Sequence, residues 1–307
     1  MTAQQLREPT SDGVYQAMGR IAAILPPTPL VPLTLDGAQL WLKNETAQPI
    51  RAFKIRGAWN RISAIPTTRR KYGVVALSSG NHALGVAWSA RRLDMAATVL
   101  MPGDTPAAKL DAVAELGAQI IRYDRLNDDR EAMATALCSD GAALVHPFDD
   151  PLVIEGQGTL ALEVTAQLGR APDRVIAPCG GGGLLSGCAL ACPEAELVAV
   201  EPDGWDDAGR SLAAGRIVPV GPAPPPTICD GIQTPVIAPL TFDILRRRNA
   251  MTTTVSDGEV RAAQNILRRH TGINAEPSGA AGLAAVMAGK VPIDGLNLII
   301  LTGGNGA

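Results

Sequence analysis

Arg174-Val175-Ile176-Ala177-Pro178-Cys179-Gly180-Gly181-Gly182-Gly183-Leu184-Leu185 decides the fold class. A run of strand length, 174–177, apolar after Arg174, leads into four consecutive glycines, and a helix-length apolar stretch, 184–192, follows at once. Strand, tight loop and helix in that order make the repeating piece of a parallel sheet covered by helices. The same rhythm extends outward on both sides. Upstream, strands are expected at 74–77, 97–101, 119–123 and 143–145, with helices at 81–92, 106–116 and 128–139 between them. Pro106 suits a first helical turn, and Gly117 closes the helix before the next strand. A long helix is expected at 153–168, a strand at 196–200, helices at 259–270 and 278–288, and a last strand at 298–301. The proline-rich stretch 219–227 reads as a loop, because regular patterns resume after it. The expected class is therefore α/β with two parallel-sheet units, and clefts between such units hold ligands.

Four glycines in a row exceed what a turn requires. Without side chains, several backbone N–H groups can converge on an anion, and the following helix adds its dipole, so Gly180, Gly181, Gly182 and Gly183 are expected to cradle a phosphate. A dinucleotide-binding loop with Glu201 as the ribose acid is the rival. Its third glycine would fall on Leu185 or Ser186, depending on register, so that fingerprint fails.

With 307 residues, 46% of them apolar, the chain can bury a core of one large or two medium domains. A net charge of −3 without basic clusters argues against a nucleic-acid partner. Residues 1–12 are polar and unlike a signal peptide, and charge, Gly or Pro interrupts every apolar run before the ~18 residues of a membrane span. A soluble, cytoplasmic protein is the default. The five cysteines are odd in number and include no C-x-x-C pair, which argues against a disulfide framework; Cys188 and Cys192 read as small buried hydrophobes rather than metal ligands.

Three further stretches carry candidate chemistry. Lys54 stands in Gln48-Pro49-Ile50-Arg51-Ala52-Phe53-Lys54-Ile55-Arg56-Gly57-Ala58. Alone, a lysine near arginines is a solvated charge; beside Phe53 and Arg56 it can be partly desolvated and its pKa lowered, as an imine-forming amine needs. Ser78-Ser79-Gly80-Asn81-His82 falls at a strand-to-helix junction, where hydroxyls and an amide can cap free N–H groups. In Glu201-Pro202-Asp203-Gly204-Trp205-Asp206-Asp207 the carboxylates suit Mg²⁺ or Ca²⁺, or else form a solvated acidic loop.

Read together, these stretches resemble the pyridoxal-phosphate enzymes of the tryptophan-synthase-β-like class (fold type II), in particular the serine/threonine dehydratase and serine racemase family. The family pattern Ser/Ala-Phe-Lys-x-Arg-Gly-Ala runs from Ala52 to Ala58. Pro147-Phe148-Asp149-Asp150, Gly156-Gln157-Gly158-Thr159, Thr227-Ile228-Cys229-Asp230-Gly231, Glu276-Pro277-Ser278-Gly279-Ala280 and Thr302-Gly303-Gly304-Asn305 extend the match over nearly the whole chain. The resemblance implies a large cofactor domain, 1–72 with 147–307, interrupted by a small domain, 73–146, in a homodimer. It implies pyridoxal 5′-phosphate, with Lys54 as the imine lysine, Phe53 against the cofactor, Gly180–Gly183 and Leu184 on the phosphate, Asn81 at the phenolic oxygen and Thr302 at the ring nitrogen. A neutral hydroxyl at that nitrogen makes the ring a weaker electron sink than a carboxylate would, which favours β-elimination over transamination.

The same resemblance places the substrate carboxylate on Ser78, Ser79, Asn81 and His82, and a Mg or Ca ion on Glu201, the carbonyl of Trp205 and Asp207. The family carries alanine where this chain has Trp205. Ser79 resembles the racemases, and its hydroxyl could serve the α-proton opposite Lys54. The expected reaction is dehydration of L-threonine or L-serine to a 2-oxo acid and ammonia. Serine or aspartate racemase and threo-3-hydroxyaspartate dehydratase are the near alternatives; a nicotinamide-dinucleotide enzyme and a non-catalytic binding module are the distant ones. One departure stands out in Pro49-Ile50-Arg51-Ala52, where relatives often have Thr-Gly-Ser. Arg51 reads as solvent-facing, and only an inward side chain would suit the second carboxylate of hydroxyaspartate.

Overall fold

The computed structural model describes residues 7–35, 37–78, 80–125 and 127–306. The strand–helix alternation builds two sheets. In chain order the elements are α1 (Ser11–Ala22), β1 (Leu30–Leu35), β2 (Ala38–Asn44), α2 (Lys54–Ser63), β3 (Val74–Leu77), α3 (Asn81–Arg92), β4 (Ala97–Pro102), α4 (Ala107–Glu115), β5 (Gln119–Tyr123), α5 (Arg130–Leu137) and β6 (Ala143–Val145). There follow α6 (Pro151–Leu168), β7 (Arg174–Pro178), α7 (Gly183–Ala191), β8 (Glu196–Pro202), α8 (Asp207–Ala214), α9 (Pro239–Arg247), β9 (Met251–Val255), α10 (Asp257–Thr271), α11 (Pro277–Met287) and β10 (Asn297–Leu301).

The larger sheet runs β1-β2-β10-β7-β8-β9 and the smaller β5-β4-β3-β6. All neighbours are parallel except β1, which folds back on β2 from Leu30↔Lys43 to Leu35↔Ala38 around Gly37 at φ 81°. The expected two parallel-sheet units are present, and this antiparallel edge adds to the larger one. A hairpin needs only a tight turn, whereas a parallel neighbour would need a crossover.

The central strand shows why the larger sheet needs helices on both sides. Its residues Asn297–Leu301 are all buried. Leu298 and Ile300 pack with Leu185 and Leu160 on one face, while Ile299 and Leu301 pack with Leu267 and Leu283 on the other. Period-two alternation with both faces apolar is the signature of a covered parallel strand. Each such side chain contributes about 1.5–3 kcal/mol by leaving water. The smaller sheet repeats the device, with Val74 and Ala76 on one face and Val75 and Leu77 on the other. Ala58 and Ile62 of α2 pack into the first of these clusters beside Val86 of α3, so the helix that begins with Lys54 leans on the smaller sheet.

Local signals fix several ends. In α10, Ser256 and Glu259 form a reciprocal capping box, and Gly272 closes the helix at φ 70°. Between α2 and α6 the backbones nearly touch: a Cβ on Gly156 would stand 2.7 Å from Gly57 Cα. Beneath that contact, Arg56 donates to Glu45 and Glu163, and Lys43 pairs with Glu163 at 2.7 Å, all four side chains buried. Two positive and two negative charges make this cluster neutral as a whole. No helix among the described residues is long and apolar enough to cross a membrane.

Candidate active site

The C-terminal ends of β10, β7, β3 and β6 are followed by Thr302–Asn305, the glycine quartet, the Ser78 loop and the Pro147 segment. Ligand sites of parallel sheets form at these ends. Lys54 reaches the Pro147 segment from the first position of α2, with Nζ donating to Pro147 O at 2.9 Å and lying 5.2 Å from the centre of the Phe53 ring. Burial lowers its pKa from 10.5 to about 8. Arg56 was expected to help depress that pKa, but its guanidinium turns to Glu45 and Glu163. Desolvation alone does the work.

Two histidines flank the lysine. His82 Nε2 meets Val145 O at 2.8 Å; a carbonyl only accepts, so the proton is on Nε2. His82 Nδ1 is then a buried acceptor without a partner among the described residues. His146 Nδ1 accepts from Asp149 N at 2.7 Å. Burial, followed by the Lys54 charge, lowers His82 to about 3 and His146 to about 4, so both rings are neutral near neutral pH.

The glycine quartet has no room for side chains. A Cβ on Gly181 would lie 2.3 Å from the Phe148 ring, one on Gly180 would lie 2.6 Å from Thr234 Oγ1, and Gly182 has φ 81°. Gly182 caps α7 without a side chain, which leaves the first amides of the helix for an anion, and Leu184 lies in that first turn. Helix α3 likewise starts from Gly80 with no side-chain cap bond at that position. The Ser78 hydroxyl accepts from Gly80 N at 3.2 Å instead. Ser79 lies outside the described residues.

Asn81 joins the loops. Its Nδ2 donates to Glu276 Oε1 at 2.8 Å, and its Oδ1 accepts from Asn305 Nδ2 at 2.7 Å. Burial, then the Asp230 charge, raises Glu276 to about 7. Thr302 is buried, and its carbonyl accepts from Phe53 N at 3.0 Å, tying the end of β10 to the segment that leads into Lys54. Phe148, the Pro147 carbonyl, His146 and Glu276 were not singled out as site residues from sequence. The Pro147 carbonyl and Glu276 meet Lys54 and Asn81 across 93 and 195 positions, which no local pattern announces.

The acidic group is split. Glu201 accepts from Ala208 N and Gly209 N, and Asp207 accepts from Ile237 N at 2.6 Å. Burial raises them to about 8 and about 7. Asp206 faces Arg210, and Trp205 Nε1 donates to Pro225 O. No group of three His, Cys, Asp or Glu side chains converges as a metal cage among the described residues. Two buried carboxylates and a carbonyl still offer the oxygen donors that a hard divalent cation takes.

A half-buried amine without a carboxylate partner and an unpartnered imidazole, both as seen among the described residues, together with a glycine cradle that has no side-chain cap, fit an aldehyde cofactor carrying a phosphate. Fold and site together define an α/β enzyme built around such a group. The chain belongs to the family of pyridoxal-phosphate dependent enzymes, whose model matches residues 21–303. It is 40% identical to the L-threo-3-hydroxyaspartate ammonia-lyase of Saccharomyces cerevisiae, over 97% of this chain and 93% of that one. Maize serine racemase shares the fold with a TM-score of 0.92 at 35% identity, covering 98% of this chain and 95% of that one. A threonine deaminase from T.th. does so with a TM-score of 0.88 at 41% identity, covering 97% and 99%. The cofactor is pyridoxal 5′-phosphate, which retires the nicotinamide alternative.

Proposed function

We propose that this protein is an ammonia-lyase that dehydrates a small β-hydroxy amino acid, L-threonine and L-serine being the first to try, to a 2-oxo acid and ammonia. Bound pyridoxal phosphate supplies the electron sink that lets the α-proton leave. One observation carries the reading: Lys54 is half-buried, its one hydrogen bond among the described residues goes to a carbonyl, and its pKa is lowered toward the working range of a base. Its neutral Nζ takes the α-proton. The amides of Gly180 to Gly183 hold the phosphate, and Asn81, fixed by Glu276 and Asn305, orients the ring oxygen. The uncapped N-terminus of α3 receives the substrate carboxylate. In the net balance the α-proton and the β-hydroxyl leave as water, and the released enamine hydrolyses to the 2-oxo acid and ammonia. The neutral histidines add no competing charge beside the lysine.

The test is a 2-oxo-acid assay over a panel of β-hydroxy amino acids with wild type and Lys54→Ala. Equal ammonia release from both would remove Lys54 from the chemistry. We also propose that Glu201, Asp207 and the Trp205 carbonyl hold Mg or Ca. Chelation should then lower Tm and added Mg²⁺ should restore it, and Asp207→Asn should abolish both responses. A wild type indifferent to chelator would refute that ion.

A further inference from the structure

The backbone at Arg51 is left-handed, with φ 56°. Asp94 and Asn249 share this region among the described non-glycine residues, and short polar side chains tolerate it. An arginine has no short polar group to bond its own backbone there, so a residue held in this region points to a task for its side chain. Arg51 stands three positions before Lys54, against the turn that ends β10. Its carbonyl accepts from Gly304 N at 2.9 Å, and its Nη2 donates to Gly304 O at 2.8 Å. Asn81 meets the same turn beside it. A Cβ on Gly304 would lie 3.0 Å from Arg51 Nη2, and one on Gly303 would lie 3.0 Å from Asn81 Nδ2. The guanidinium is therefore neighbour to the amide that orients the reacting centre. Arg51 is exposed and pairs with no carboxylate among the described residues, so most of its five donors remain free.

We propose that Arg51 determines specificity by receiving the second carboxylate of a dicarboxylic β-hydroxy amino acid, while the uncapped start of α3 holds the first. This rests on the elimination reading above. A guanidinium fork matches a carboxylate in two parallel hydrogen bonds, which serine and threonine cannot make.

The experiment compares wild type, Arg51→Gly and Arg51→Lys as holoenzymes. Glycine keeps the left-handed backbone, so the fold is retained, and Tm should rise by about 2 °C as the strain disappears. The ratio of kcat/KM for L-threo-3-hydroxyaspartate over L-serine should fall about 100-fold in Arg51→Gly, mainly through KM, with Arg51→Lys in between. An unchanged ratio, or parallel loss on both substrates, would overturn the proposal and reduce Arg51 to a brace for the turn. Binding of L-aspartate and L-alanine, followed by the cofactor's visible absorbance, separates this from the elimination reading, since neither can lose a hydroxyl. Preferential weakening of L-aspartate binding in Arg51→Gly supports the proposal even if no water is eliminated. Equal weakening of both overturns it.

Discussion

Two lysines eleven positions apart, Lys43 fully buried and Lys54 half-buried, meet opposite surroundings. Lys43 sits in the charged cluster under β2 and α6, with Nζ 2.7 Å from Glu163 and donating to Thr28 O and Gln167. Lys54 has one carbonyl, two neutral histidines and an aromatic ring. Burial lowers the pKa of both, but at Lys43 the charges of Glu163 and Glu45 pull it back, and at Lys54 nothing does. Desolvation disfavours the ammonium in each place; a carboxylate neighbour decides whether the proton stays. The same side chain is thus a structural cation in one region and a candidate nucleophile and base in the other.

The largest expected effect breaks the reactive side of this contrast. Lys54→Ala should lower turnover by about 10⁴-fold, read as 2-oxo-acid formation. Next comes the structural side. Glu163→Leu strands Lys43 and half of the Arg56 fork in a buried site, and urea unfolding should show a loss of about 3–5 kcal/mol. A loss below about 1 kcal/mol would mean that the cluster is more solvated than its burial indicates.

The third prediction sharpens the contrast through pH. Lys54 titrates lower in the folded chain than in the unfolded one, so between its folded pKa of about 8 and 10.5 the unfolded chain binds more protons. Stability of cofactor-free protein should therefore rise with pH across that window, by about 2–3 kcal/mol, and the rise should vanish in Lys54→Met. The raised carboxyls at Glu201, Asp207 and Glu276 act in the other direction and mostly below pH 8, since stability falls as pH climbs toward their folded values. The smallest effect belongs to an exposed pair. Lys109 on α4 reaches Asp230 across to the larger sheet's loops, and both side chains are well exposed. Lys109→Ala should change stability by less than about 1 kcal/mol.

What could be read from the sequence follows the same physics. Strands such as 174–177, apolar after Arg174, and 298–301 announced themselves because a doubly covered strand is apolar along its interior, and the quartet Gly180–Gly183 because side chains are excluded there. Lys54 stood out through its motif. The β1–β2 hairpin went unread, since its half-exposed alternation is weak and a register is a pairing rather than a composition. The Pro147 carbonyl and Glu276 were invisible as partners for a further reason. A desolvated pocket is assembled from distant segments, and no residue carries its environment in its own letter. Arg51 was expected to face solvent. It is exposed, yet folded onto Gly304 by a backbone angle that spacing could not reveal.

Borohydride reduction of the purified holoenzyme, followed by peptide mapping, tests the central contrast most directly. The chain has five lysines, at 43, 54, 71, 109 and 290, so the outcome is unambiguous. The account predicts a visible band at roughly 410–420 nm that reduction erases, with the cofactor's mass fixed on Lys54 alone. Label on Lys43 or any other lysine, with Lys54 unmodified, would contradict it.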